Sequence, residues 1–236
     1  MKFAVVQFPG SNCDQDCLAA LHRIEGANPE YVWHKETSLE GFDAIVLPGG
    51  FSYGDYLRCG AIARFSPIMQ AVISDAGAGK LVIGICNGFQ ILCEAGLLPG
   101  ALVRNQAQHF ICRMATLRVE SAHSPFMRDL PEGTLLRLPI AHGEGRFFAD
   151  ESTLRELNEG RQILLRYADS AGRVVPEANW NGSAENIAGV CNRERNVFGL
   201  MPHPDRACEE RLGGSDGAKI FRSMVQALVA GGARAA

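Results

Sequence analysis

The stretch "LVIGICNGFQIL", residues 81–92, constrains the fold of this chain more than any other. Leu81 to Ile85 is short, rich in branched residues and free of charge. That is the pattern of a parallel strand covered on both faces. The apolar spacing of Phe89, Ile91, Leu92 and Cys93 then suits a helix. Between the two, Gly84 and Gly88 flank Cys86 at a strand-to-helix switch. A sharp, strained turn there needs neighbours without side chains. The arrangement is that of a nucleophile elbow, with cysteine in place of serine.

The chain before and after this turn alternates strands and helices. Lys2 to Phe8 reads as a strand, and "PGSNCDQD" as a turn opening a helix that runs to about Gly26. Ser11 or Asn12 suits its cap, with Asp14 and Asp16 near its positive end. Glu30 to His34 and "FDAIVLPGG" give two more strands, and "AIARFSPIMQAVISDAGAGK" is helix-rich despite Pro67. Such alternation implies parallel, right-handed crossovers. The second half changes character: "FICRMATLRVES" and "GTLLRLPIAHGEGRFFA" alternate as antiparallel strands do. A short helix near 151–159 precedes strand-like "QILLRYA", "NIAGVCN" and "VFGLMPH". An amphipathic helix over Ser215 to Val229 and a tail, "AGGARAA", expected to fray, close the chain. The fold class is therefore α/β: an open doubly wound, mostly parallel sheet with helices on both faces and an antiparallel extension. No repeat or low-complexity linker divides it, so residues 1–236 read as a single domain.

Several function classes are excluded. Among 236 residues the net charge is −3, so no polyanion-binding surface is offered and nucleic acid is not an expected partner. No apolar run approaches the roughly 20 residues that span a bilayer. The N-terminus lacks the long apolar core of a signal peptide. Eight scattered cysteines without a CxxC pair fit a reducing cytoplasm better than a disulfide scaffold.

In open α/β sheets, ligands sit at the carboxyl ends of strands. Three such ends carry unusual residues: Gly49 with Gly50, Cys86, and His203 with Asp205. A buried cysteine is more often inert than reactive, and a lone histidine more often structural. The glycine frame lifts Cys86 above that background. "MPHPD" holds His203 between two prolines, with a carboxylate two residues on to orient its ring. In a Cys–His–carboxylate set the imidazole stabilises the thiolate and passes a proton to the leaving group, while the carboxylate holds the useful tautomer. The amides of Asn87, just after the cysteine, and of Gly50 would supply an oxyanion hole. The order Cys, His, Asp differs from the Ser, Asp, His order of α/β-hydrolases.

With these residues in place, G-I-C-N-G-F-Q, an upstream P-G-G and a late P-H-P-acid resemble the class I (triad) glutamine amidotransferases. "QFPGSNCDQD", "PGGFSYGDYLRCGAIA", "RNQAQHFICR", "AHGEGRF" and "GLMPHPDR" extend that likeness from Lys2 to about Leu228. They are similar to the glutaminase subunits of an amidine-forming synthase of purine biosynthesis. Because Met1 opens the chain, it resembles the free-subunit form. The resemblance implies Cys86 as nucleophile, His203 as base and Asp205 as orienting acid, with Gly49, Gly50 and Gln90 beside the glutamine substrate. It implies no metal or cofactor on this chain. ATP and Mg²⁺ would belong to a synthetase partner, joined by a small third subunit. Two departures stand out. The last triad member is more usually glutamate than Asp205, and Ala107 and His109 replace a serine and a basic residue, which leaves glutamine contacts at 105–110 unassigned.

Other motifs read differently. "HGEGRFF" (142–148) pairs His142 with Glu144 but lacks an HExxH helix or neighbouring ligands, so a metal there is not expected. The resemblance places this loop on the side of the synthetase. "FSYGDYLRCG", directly after the oxyanion glycines, reads as a functional loop. "GGSDGAK" (213–219) is a near miss for a phosphate loop and suits a helix start capped by Ser215 or Asp216. Stand-alone cysteine hydrolases or isomerases of similar fold often place histidine directly after the elbow cysteine, where this chain has Asn87. A different amidotransferase and a non-catalytic binding module are the remaining alternatives.

Overall fold

A computed structural model describes residues 1–235. Eleven strands form: β1 (Lys2–Gln7), β2 (Asn28–Trp33), β3 (Ala44–Leu47), β4 (Leu81–Ile85), β5 (Ala101–Val103), β6 (Ile111–Val119), β7 (Leu135–His142), β8 (Arg146–Phe148), β9 (Ile163–Ala168), β10 (Ile187–Cys191) and β11 (Val197–Leu200). Five α-helices accompany them: α1 (Asp14–His22), α2 (Ile68–Gly77), α3 (Asn87–Glu94), α4 (Glu151–Glu159) and α5 (Asp216–Ala235).

Nine strands make one sheet in the order β2-β1-β3-β4-β11-β10-β9-β6-β7. The first five are mutually parallel, and β10, β9, β6 and β7 extend the sheet in antiparallel pairs. Every residue of β3 and β4 is buried, so both faces of the parallel half are covered, as their uninterrupted apolar runs require. The topology has one consequence for function. β11, from the end of the chain, enters the middle of the sheet and pairs with β4 from Val197↔Val82 to Leu200↔Ile85.

α3 lies close against that sheet because glycine leaves it room. A Cβ on Gly88 would collide with the Leu47 carbonyl of β3, and one on Gly84 would stand 2.6 Å from the Gly88 oxygen. The ring of Phe89 covers Gly199 of β11 and stacks on Phe147 at 6.1 Å between centroids. Burial of such a ring stabilises the fold by about 1.5–3 kcal/mol.

Several expectations shift locally. α1 ends at His22 rather than near Gly26, and its N-cap is Cys13, which makes no side-chain cap. Ser11 instead accepts a hydrogen bond from the Phe8 amide at 3.3 Å, closing the preceding turn. β8 leaves the main sheet and pairs with β5 in a two-stranded ribbon, a non-local pairing that local alternation could not reveal. α5 continues past Val229 through the small-residue tail as far as Ala235, because alanine favours helix; Ala236 lies outside the described residues. Ser215 donates to Glu210, while Asp216 accepts from the Arg137 amide and the Lys219 ammonium.

Candidate active site

Cys86 occupies the junction of β4 and α3 with φ 50° and ψ −105°, a left-handed conformation that ordinary residues avoid. Its amide donates to the Leu200 carbonyl of β11 at 2.8 Å, which ties the strained turn to the neighbouring strand. The thiol, 6% exposed, is directed toward the Ala141 carbonyl of β7 at 3.9 Å. As N-cap of α3, the sulfur sits at the positive end of a helix dipole.

His203 follows β11 and is buried. Its amide donates to the Pro139 carbonyl at 2.8 Å, so β7 supports the histidine and, two residues later, borders the thiol. Ring Nδ1 lies 3.4 Å from Oδ2 and 3.3 Å from Oδ1 of Asp205. That is longer than the about 2.7–2.9 Å of a good charge-assisted bond, in keeping with a side chain one methylene shorter than glutamate. Burial works against the imidazolium, yet the Asp205 charge and the adjacent Cys86 sulfur, as thiolate, outweigh it and push His203 up to about 10. Nε2 has no settled hydrogen-bond partner.

Gly49 fills the space between the two: a methyl there would overlap the His203 ring and touch the Cys86 Cβ. Gly50, with φ 140°, packs on Asn12 too tightly for any side chain. Among the described residues, neither the Gly50 amide nor the Asn87 amide donates to a backbone carbonyl. A cavity of about 250 Å³ opens onto these groups, lined among others by Cys13, Gly50, Cys86, Phe110, Cys112 and His203. Its size suits a small metabolite rather than a nucleotide.

The Asn87 side chain is fully buried. Its Oδ1 accepts from the Ser52 amide at 3.1 Å and its Nδ2 donates to Gln90 Oε1 at 2.9 Å. Gln90 in turn donates to the Glu144 carbonyl at 2.6 Å. The expected substrate neighbour Gln90 thus has both ends of its amide bonded inside the protein. It braces two loops, "FSYGDYLRCG" and "HGEGRFF", against the first turn of α3.

Sequence reasoning missed three features. Asn105, in the unassigned 105–110 segment, is buried and donates to the His109 and His142 carbonyls. Its Oδ1 accepts from the Gly145 amide and from His142 Nδ1, both at 3.1 Å, which fixes the neutral tautomer of that histidine. Burial and the His203 charge lower His142 to about 4. Cys13 and Arg206 also line the cavity, with Arg206 Nη2 donating to Cys13 Sγ at 2.8 Å. Their signal was available: Cys13 follows the carboxyl end of β1, where ligands gather in such sheets.

The open parallel sheet and the cysteine elbow facing a late histidine define a glutamine amidotransferase domain, and the family model of the CobB/CobQ-like glutamine amidotransferase domain matches residues 1–214. The phosphoribosylformylglycinamidine synthase subunit PurQ of Moorella thermoacetica is 57% identical over 95% of both chains, and that of Acaryochloris marina 53% identical over 100% of both. The chain belongs to this PurQ family. A chain in the structure of PurLQS from Thermotoga maritima superposes with a TM-score of 0.85 at 46% identity, over 96% of this chain and 98% of that one. A glutamine amidotransferase from Thermotoga maritima, 15% identical with a TM-score of 0.58 over 97% of this chain and 98% of that one, shares the fold alone. No helix among the described residues is long and apolar enough to cross a membrane.

Proposed function

We propose that this chain is the glutaminase component of phosphoribosylformylglycinamidine synthase, acting as one cytoplasmic amidotransferase domain. The reading rests above all on the strained Cys86 elbow beside an imidazole that the Asp205 charge makes more basic, since a proton on that ring stabilises a thiolate. The Cys86 sulfur attacks the side-chain carbonyl carbon of glutamine. The oxygen takes negative charge and is met by the amides of Gly50 and Asn87. His203, oriented by Asp205, gives a proton to the departing nitrogen, ammonia leaves, and a glutamyl thioester remains. Water then loses a proton to the same imidazole, attacks the thioester, and releases glutamate and the thiol.

Ammonia released into water would be protonated and lost to the reaction. The product must therefore pass to a second site. The partner is an ATP- and Mg²⁺-dependent synthetase subunit that converts the formylglycinamide ribonucleotide to the amidine, joined by a small third subunit. The kinship with PurQ subunits, and with a chain of the PurLQS structure, supports this assignment. The Gln90–Asn87 hydrogen bonds give docking at the 142–146 loop a route to the loop after Gly50.

A glutamine-mimicking electrophile tests the reading. It should modify Cys86, and excess glutamine should prevent it; labelling indifferent to glutamine would overturn the amidotransferase assignment. Cys86→Ala mixed with the synthetase should lose glutamine-dependent synthesis while keeping synthesis from ammonium salts.

A further inference from the structure

Cys13 takes no part in the chemistry above, yet it sits inside the same site. It is 2% exposed and lines the cavity with Cys86 and His203. Its sulfur, a ring nitrogen of His203 and a carboxylate oxygen of Asp205 all lie within 4.8 Å of one another. Two of these groups carry a buried atom without a hydrogen-bond partner, Nε2 of His203 and Oδ1 of Asp205. A thiol, an imidazole and a carboxylate that converge, joined to one another only by the 3.4 Å His203–Asp205 bond, form the donor set of a zinc-type site with three protein ligands and one open position. Metal bonds of about 2.0–2.3 Å require the donors to close by only about 1 Å.

We propose that Cys13, His203 and Asp205 form an inhibitory site for a thiophilic divalent cation such as Zn²⁺, with the fourth position open to the cavity. On binding, the Cys13 S–H proton and the extra ring proton of the His203 imidazolium go to solvent, and a sulfur–metal bond takes the place of S–H. His203 and Asp205 contribute lone pairs, and nothing is oxidised or reduced. Mg²⁺ and Ca²⁺, which demand oxygen ligands, are excluded by the donor set. The ion and the glutaminase reaction need the same imidazole, so a loaded chain is switched off. Binding stands independently of the amidotransferase reading; the switching-off rests on it.

Arg206 competes with the ion. Its Nη2 holds the Cys13 sulfur at 2.8 Å while its Nε donates to Asp16 at 3.1 Å. The side chain is 34% exposed and keeps Asp16 when it releases the sulfur, so the guanidinium can yield. Losing one charge-assisted hydrogen bond is worth about tenfold in affinity.

Titration of the full chain with Cd²⁺, followed by sulfur-to-metal charge-transfer absorption and equilibrium dialysis, tests the site. One ion per chain is expected, displaced by Zn²⁺ and not by Mg²⁺. The band should persist in Cys86→Ala, weaken at least 100-fold in Cys13→Ser and about tenfold in Asp205→Asn, and bind about tenfold tighter in Arg206→Gln. A band retained in Cys13→Ser, or lost in Cys86→Ala, would place the ion on the other thiol and overturn the proposal. Should Cys13→Ser fail to fold, unchanged affinity in Asp205→Asn overturns it instead. With the synthetase present, Zn²⁺ should stop glutaminase turnover in the parent chain and require at least tenfold more metal in Cys13→Ser; equal sensitivity refutes the switch. A chain without glutaminase activity but with a Cys13-dependent band would refute the amidotransferase reading and leave the site standing.

Discussion

The ring of His203 rests on the bare Cα of Gly49: a Cβ added there would stand 2.7 Å from His203 Cε1 and 3.4 Å from the Cβ of Cys86. One backbone position therefore sets the spacing between imidazole and thiol. Gly49→Ala should displace the ring by a few tenths of an ångström or more. We expect kcat/KM for glutamine to fall on the order of 10²-fold, with a stability loss of about 1–3 kcal/mol from overpacking. Steady-state glutaminase assays beside thermal melts check this, and an unchanged kcat/KM would mean that the spacing does not matter.

Asp205 is the main group raising His203, to about 10 against burial. A raised histidine contributes stability that is complete below its unfolded value of 6.5 and is lost as pH rises toward 10. Asp205→Asn removes the carboxylate and leaves only Cys86 to oppose burial. The alkaline limb of glutaminase activity should then move down by more than about one pH unit, with kcat lower on the order of 10²-fold. Asp205→Glu should recover most of both. Profiles of kcat/KM from neutral pH to 10 decide it, and an alkaline limb that stays in place in Asp205→Asn contradicts the assignment.

His142 works in the opposite sense. Burial, then the His203 charge, hold it at about 4 against a reference of 6.5, so between these values the unfolded chain binds the extra proton. Its contribution is present above pH 6.5 and is lost as pH falls toward 4, amounting to about 3 kcal/mol. Urea unfolding across that window should show His142→Gln losing stability less steeply than the parent. Parallel curves would show that His142 titrates normally.

Gln90 joins the Asn87 amide to the Glu144 carbonyl. Gln90→Leu removes both bonds, leaving the Asn87 amide only its 3.5 Å contact to Asp55 and the half-buried Glu144 carbonyl without this partner, at about 1–3 kcal/mol in all. Hydrogen exchange at the Ser52 amide, held by Asn87 Oδ1, should quicken, and turnover in the presence of the synthetase should fall with it. Unaltered Ser52 protection would separate the two loops.

Much of this was legible in the residues. The parallel strands and the elbow announced themselves because each depends on a local pattern: a run of apolar residues of strand length, and two glycines around one cysteine. The β5–β8 ribbon and the Asn105–His142 clamp did not, since each pairs segments far apart in sequence and leaves no periodic trace. Gln90 was expected beside the substrate because it lies one helical turn from Cys86. Its bond to Glu144 depends on how a distant loop folds back over α3. The cap of α1 likewise moved to Cys13 because Ser11 closes the preceding turn instead.

By itself the sequence determined the bend at Cys86, because a sharp, strained turn at a strand-to-helix switch needs neighbours without side chains, and Gly84 and Gly88 supply them. It also determined that Asp205 lies close to His203, two residues along the same turn. Only the tertiary structure decided that this pair meets the thiol. β11 had to enter the sheet beside β4, and β7 had to present Pro139 and Ala141 to the two partners. The same long-range packing brought Cys13 to His203 and Asp205, a convergence that spacing along the chain does not encode. Local pattern fixes backbone geometry over a few residues, whereas the meeting of distant side chains is set by strand order and by the packing of the whole core.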